Sequence, residues 1–357
     1  MARLPRPRPG QLSTAAPRAD GEPLDLVAAA AAPVAAKETE PQELLPAPKN
    51  TPPPIPSGRV ERVVADAARP RAEPALVTAS VEPRQAPAGA AAAPALPQNC
   101  LQLNQVADED GDFSRNRTAL SGLCTTQEKF RERRRPWTIQ SVHSGRPGPL
   151  WVVMHDDEAT AFDNAVQGLK TYGGKFMTVD TSGKRNQDGI DPNRNFSADG
   201  IGCAKLGDSA SPRFSDLFRQ AFDPAQPLIV LHNNVGKPIP TGGLGHVAMD
   251  TVPKDMRAWE ASDPGGDLAG EHSLVLLAAA DPSEQAVQDW AEGLSGKGVN
   301  VVVEPVSAKS ADCSLSNFAV LAGQRNYFNV TVDKDDGDAQ RRMVELIMSS
   351  FFTVAAR

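Results

Sequence analysis

The sequence predicts an α/β fold, a three-layer sandwich whose central mixed, mostly parallel sheet is covered by helices on both faces. Two observations carry this. From Pro149 to the C terminus, short apolar runs rich in branched residues alternate with stretches of helical spacing, and no internal repeat interrupts them. The aromatic residues that a core needs are also confined to one part of the chain: none of the 18 precedes Phe113. The first 98 residues instead hold 19 of the 32 prolines, together with long alanine stretches. Such a composition cannot bury enough apolar surface to offset the entropy of ordering. The expected organisation is a disordered Pro/Ala-rich arm over 1–98 and one folded domain over 99–357.

Within the domain, Pro149–Met154 reads as a buried strand. Asp156 and Asp157 offer N-cap chemistry for a helix over Ala159–Tyr172, which Gly173 and Gly174 stop. Lys175–Asp180 is the next strand. A helix around Arg213–Phe222 leads to a strand at Pro227–Leu231. Leu274–Ala278, a helix over Pro282–Leu294 and a strand at Val299–Val303 repeat the alternation. A last strand, Asn326–Asp333, precedes a closing helix over Ala339–Phe352.

Charge and cysteines narrow the setting. A net charge of −7 and a pI near 5.4 argue against a nucleic-acid backbone as partner, because phosphate neutralisation needs a basic face. No apolar stretch is long enough to span a membrane as a helix. Cys100, Cys124, Cys203 and Cys313 have neither CxxC nor Cys/His spacing, so two disulfides in any of three pairings are open. The proline-rich arm suits a tether, which favours a periplasmic or secreted protein, with the cytoplasm as the alternative. Arg3, Arg6, Arg8 and Arg18 resemble the positive start of a signal, but Asp25 interrupts the apolar stretch that follows.

In open α/β sheets ligands bind beyond the carboxyl ends of strands, so polar residues directly after apolar runs carry the chemistry. Three groups meet that criterion. His155-Asp-Asp-Glu158 leaves the first strand with an imidazole and, one helical turn on, a carboxylate, both good zinc ligands. His232 follows Pro227–Leu231 by the same logic. With Glu158 the two histidines make a His2Glu set that leaves a fourth position open, as in hydrolytic rather than structural zinc sites. The third group is Asp191-Pro-Asn-Arg-Asn-Phe196, in which Asn193 and Arg194 suit a carboxylate, since a guanidinium forks onto two oxygens. A turn nucleated by Asp-Pro-Asn is the structural alternative.

HxxE, then Asn-Arg-Asn-aromatic, then a histidine closing an apolar strand resembles the zinc carboxypeptidase family in its short bacterial form, related to the succinylglutamate desuccinylase and aspartoacylase group. The resemblance runs from about His143 to the C terminus. It implies an eight-stranded mixed sheet, Zn²⁺ on His155, Glu158 and His232, and Asn193 with Arg194 on the substrate's terminal carboxylate. It also implies a second arginine for the oxyanion, for which Arg185 is the candidate, and a glutamate general base near the end of the last core strand. At those positions the chain has Thr331 and Asp333. Asp333 is the shorter substitute base, with Glu304 in reserve. The function implied is zinc-dependent hydrolysis of an amide bond beside a free carboxylate. The substrate would be a peptide or a small N-acyl amino acid, and a metal- or peptide-binding relative without turnover is the remaining alternative.

Other groups carry less. Asp108-Glu-Asp-Gly-Asp112 lacks the glycine and glutamate positions of a calcium loop and reads as a solvated acidic turn. Arg131–Arg135 reads as a solvated basic face. Asp312–Asn317 precedes the last strand as an ordinary loop and helix cap that could line the cleft.

Overall fold

The computed structural model describes residues 96–197, 211–234 and 247–355. Almost all of the expected arm, the signal-like segment and Cys203 lie outside the described residues. Strands β1 (Cys124–Glu132), β2 (Arg135–His143), β3 (Leu150–Val153), β4 (Lys175–Asp180), β5 (Leu228–Asn234), β6 (Arg257–Trp259), β7 (Leu274–Ala279), β8 (Asn300–Pro305) and β9 (Tyr327–Asp333) form one sheet. Their order is β1-β2-β4-β3-β5-β9-β7-β8-β6. The sheet is mixed and has nine strands rather than eight. Its central run β4-β3-β5-β9 is wholly parallel, and antiparallel pairings flank it on both sides.

Residue alternation along each strand divides the core into two layers. Trp151, Val153, Ile229, Leu231, Phe328 and Val330 point to one face. There they meet helices α3 (Ala159–Tyr172), α5 (Gln285–Ser295) and α7 (Gly337–Ala355), entered through Phe162, Leu169, Leu294, Met343 and Ile347. Leu150, Val152, Leu228, Val230, Leu274 and Leu276 point to the other face, against Phe214 and Phe218 of α4 (Pro212–Arg219) and Leu315 and Phe318 of α6 (Leu315–Leu321). This is the α/β sandwich expected from the alternation.

Two expectations are corrected. Neither Asp156 nor Asp157 caps α3: Glu158 occupies the N-cap position, without a side-chain cap bond. Asn233 of β5 instead accepts a hydrogen bond from the Ala161 amide at 3.1 Å. Asp156 turns the other way, its Oδ2 accepting from the Thr181 and Gly183 amides at 2.8 and 2.7 Å. The basic run Arg131–Arg135 is a hairpin tip as well as a charged face. Arg133 and Arg134 both have positive φ, at 49° and 71°, and close a two-residue turn between β1 and β2.

The acidic stretch is ordered by two short helices, α1 (Asp112–Arg115) and α2 (Arg117–Leu120). Asp108 accepts from the Phe113 and Ser114 amides at 2.8 and 2.9 Å and so supports the start of α1. Of the three cysteine pairings, the structure contains Cys100–Cys124, which ties the chain ahead of α1 to the first residue of β1. Cys313 is disulfide-bonded as well.

Candidate metal centre

Two strands of the parallel block and the start of α3 build the site. β3 runs through buried Val152, Val153 and Met154 and delivers His155 just past its carboxyl end. One turn later the chain enters α3 with Glu158 at the N-cap, which puts a carboxylate back over the imidazole. β5 supplies His232, on the same face as Leu228 and Val230. All three side chains are buried, and one ligand atom from each lies within 4.8 Å of the others. His155 Nδ1 is 3.1 Å from Glu158 Oε1, and His232 Nδ1 is 3.1 Å from Glu158 Oε2. Both imidazoles therefore aim the same nitrogen at one carboxylate.

His155 has a second partner. Its Nε2 donates to Asp191 Oδ1 at 2.9 Å, and that same oxygen accepts from the Asn193 amide at 2.8 Å. One oxygen thus fixes both the imidazole and the turn at Pro192–Arg194, so Asp-Pro-Asn is a turn and part of the site at once. A histidine whose outer nitrogen is held by a carboxylate presents its inner nitrogen to a metal in a set orientation.

The charges are coupled. Burial disfavours the charged form of Glu158, but His232 and His155 overcome that and hold its carboxyl well below the usual range. Burial pulls His155 down, yet Glu158 and Asp191 raise it to about 9. Burial raises Asp191, and its bond to His155 brings it down to about 2. His232 is lowered, with burial outweighing Glu158. Its Nε2 is buried and has no hydrogen-bond partner among the described residues.

The other predicted residues divide into two groups. Arg185, Asn193 and Arg194 line the cleft with His155, Asp191 and His232. Arg185 Nη1 donates to Glu158 Oε1 at 2.9 Å. The amide oxygen of Asn193 accepts from the Leu315 backbone at 3.0 Å, which orients it against the start of α6. Arg194 Nη1 donates to the Asn193 carbonyl at 2.7 Å, and its Nε faces Asp312 at 3.5 Å. The residues Asp312–Asn317 thus reach the site through Asp312, while Ser314 caps α6. The cleft encloses about 60 Å³.

The proposed bases are not brought in. In the β5–β9 register His232 stands opposite Thr331, and Asp333 stands opposite Asn234 at the outer end. Asn329 and Thr331 line the cleft, whereas Asp333 is exposed at the last position of β9. It shares their face but lies two residues, about 6.6 Å, further along the strand. Glu304, the reserve base, is buried in β8 and accepts from Asn317 Nδ2 at 2.7 Å.

The site residue missed in the sequence is Asp191 in its role as the partner of His155. A signal for it existed: an acidic residue two positions before Asn193, in the same turn as the carboxylate-binding candidates Asn193 and Arg194.

No protein-family model and no curated protein matches the sequence. Among solved structures the chain is similar to metallopeptidases. A candidate metallopeptidase from Shewanella baltica OS155 superposes with a TM-score of 0.40 at 11% identity, covering 69% of this chain and 92% of that one. A metallo-carboxypeptidase from Burkholderia cenocepacia gives 0.38 at 9%, covering 68% of each chain. An aspartoacylase family protein from Mesorhizobium loti MAFF303099 gives 0.35 at 12%, covering 65% and 68%.

The donor set itself fits a metal. Two imidazole nitrogens and a carboxylate converge in a buried place, and the two Nδ1 atoms that face Glu158 leave between them a position a divalent cation can take. Two nitrogens with one carboxylate are consistent with Zn²⁺.

Proposed function

We propose that the chain is a zinc-dependent hydrolase of amide bonds, carboxypeptidase-like in its chemistry. The observation that carries this reading is the convergence of His155, Glu158 and His232, with Asp191 fixing His155 from behind. Zinc on those three residues would supply Lewis-acid activation of water and of the scissile carbonyl. Arg194 and Asn193 would bind the substrate's free carboxylate, provided that Arg194 exchanges Asp312 for it. Arg185, already bonded to Glu158, has a buried Nε without a partner and can direct its remaining donors at the developing oxyanion. Asp333 lies on the same side of β9 as Asn329 and Thr331 but outside the cleft, so it would carry the proton only if bound substrate draws it inward. The Cys100–Cys124 disulfide supports an oxidising compartment, hence a periplasmic or secreted setting.

Metal analysis of the purified protein tests the centre: one zinc per chain in the wild type, lost in His155→Ala, is the expected result. Stoichiometric absence of zinc from folded wild type would remove the reading. A specific observation favours a second reading, a metal-binding relative without turnover: Thr331 faces His232 where a carboxylate is wanted, and Asp333 is exposed. If Asp333 carries the proton, Asp333→Asn lowers kcat on carboxyl-terminal peptides or N-acyl amino acids by about a hundredfold or more. Unchanged turnover takes Asp333 out of the mechanism. A zinc-loaded wild type inactive on both substrate classes establishes the second reading.

A further inference from the structure

The larger cavity lies at the opposite end of the strands. It encloses about 340 Å³, within the range of small-molecule sites. The turn from Ser144 into β3 and the starts of β3, β4 and β5 build it. Close backbone contact lines one side of it: Gly174, at φ 88°, packs so tightly on Pro149 that a Cβ there would lie 1.9 Å from the Pro149 carbonyl oxygen. Leu96, Leu150, Phe222 and Leu228 give it apolar walls, and Leu96 leaves half its surface exposed at the lip.

Two bases share this apolar space, and a third, the exposed Arg146, lines it with its Nη2 donating to the Leu169 and Lys170 carbonyls. His143 and Lys175 stand directly opposite each other in the β2–β4 ladder, so their side chains leave the sheet side by side. Two bases opposed across a ladder repel when both are charged. Among the described residues neither makes an ion pair, and neither side chain makes a hydrogen bond. The acid on the rim, Asp223, is exposed and accepts from the Ala225 amide at 2.9 Å. Burial and the neighbouring Lys175 push His143 down to about 4, and burial lowers the Lys175 ammonium. Both groups therefore lack the anion that would favour their charged forms.

We infer that this cavity binds an apolar monocarboxylate, its hydrocarbon part against Leu150, Phe222 and Leu228 and its carboxylate between Lys175 and His143. A single charge fits better than a phosphate, because Arg146 is already bonded to backbone carbonyls, and one ammonium with one weakly basic imidazole cannot match a dianion against apolar walls. The site is separate from the metal centre: β3 and the two residues after it put about 16 Å of strand between Leu150 and His155. Nothing in the zinc reading enters this inference.

Calorimetric titration of the full chain with octanoate and, in parallel, with octanol tests it. Octanoate is expected to bind one per chain, with octanol at least about tenfold weaker, since the pair differ in the charged head that Lys175 would hold. In Lys175→Gln the octanoate affinity should fall to that of octanol, and removal of metal with a chelator should leave octanoate binding unchanged. Absent or non-saturable octanoate binding, equal binding of octanol by the wild type, or undiminished octanoate binding in Lys175→Gln would each overturn the inference. The comparison of the two ligands on the wild type needs no variant to fold.

Discussion

The two ends of the parallel strands solve opposite problems. At the carboxyl ends, titratable groups crowd into a cleft of about 60 Å³, yet each has a partner: Glu158 holds two histidines and an arginine, and Asp191 holds His155 and a backbone amide. At the amino ends, a cavity of about 340 Å³ keeps two bases together with no acid between them. Burying charge is tolerable when opposite charge and hydrogen bonds come with it, and otherwise the group gives up its charge. The first end keeps the charges of Glu158, Asp191 and His155 by pairing them, whereas the second disfavours those of His143 and Lys175. The first is accordingly prepared for a cation and the second for an anion.

The comparison is tested most severely by removing the residue that joins the cation end together. Glu158→Gln takes away a ligand and leaves His155, His232 and Arg185 without their common acceptor. Zinc affinity should fall by more than about 100-fold, the upper figure for losing an outer partner alone, as read by competition with a chromophoric chelator. Next comes Phe196→Ala. Phe196 is buried directly behind the Asp191–Arg194 turn, with Phe214, Phe218 and Phe318 around it. We expect a loss of about 3–5 kcal/mol in urea unfolding, with the metal end loosened and octanoate binding retained.

Asp191→Asn should lower zinc affinity about 10–100-fold without removing the site, since the ligands stay and only the orientation of His155 is relaxed. An unchanged affinity would show that Asp191 only holds the turn. The smallest effect belongs to the other end. His143 is held below its unfolded value, so the unfolded chain binds the extra proton between about pH 4 and 6.5, and stability must fall as pH drops through that window. His143→Gln should flatten the slope of unfolding free energy against pH by up to one proton there, and leave it unchanged above pH 7.

Much of the fold and the metal set is readable from sequence because parallel strands are buried on both faces and end where ligands sit. His155 and His232 each follow such a run, and the ends of α3 and β4 fall where the residue pattern places them. The hairpin of β1 and β2 is not readable in that way. β1 is an edge strand, so Gln127, Glu128 and Lys129 replace apolar alternation. Its turn takes positive φ on two arginines rather than on Asn-Gly, so the usual hairpin signal is missing.

The exposure of Asp333 follows from register: which residue of β9 stands opposite His232 is decided by strand pairing, and one step of two residues moves a carboxylate out of the cleft. Asp156 and Asp191 look like cap and turn formers, as their type suggests, and only the tertiary structure assigns one to the loop after β4 and the other to His155. The anion-facing cavity had no motif at all, because His143 and Lys175 become neighbours only through an antiparallel pairing.

The Cys100–Cys124 bond also sets how a pull on the chain would be carried. Tension applied ahead of Cys100 passes through the covalent link straight into the first residue of β1, bypassing residues 101–123. The sheet then takes the load at its outermost strand, three places from β3 and four from β5 in the strand order. The helices α1 and α2 and the acidic turn before them are slack under such a load while the link is intact. Reduction would leave only the Leu101–Thr125 bridge, with its 2.7 Å hydrogen bond, between the pull and these helices. The staple thus acts as a strain relief between whatever tugs on the amino-terminal side and the histidines at the centre of the sheet.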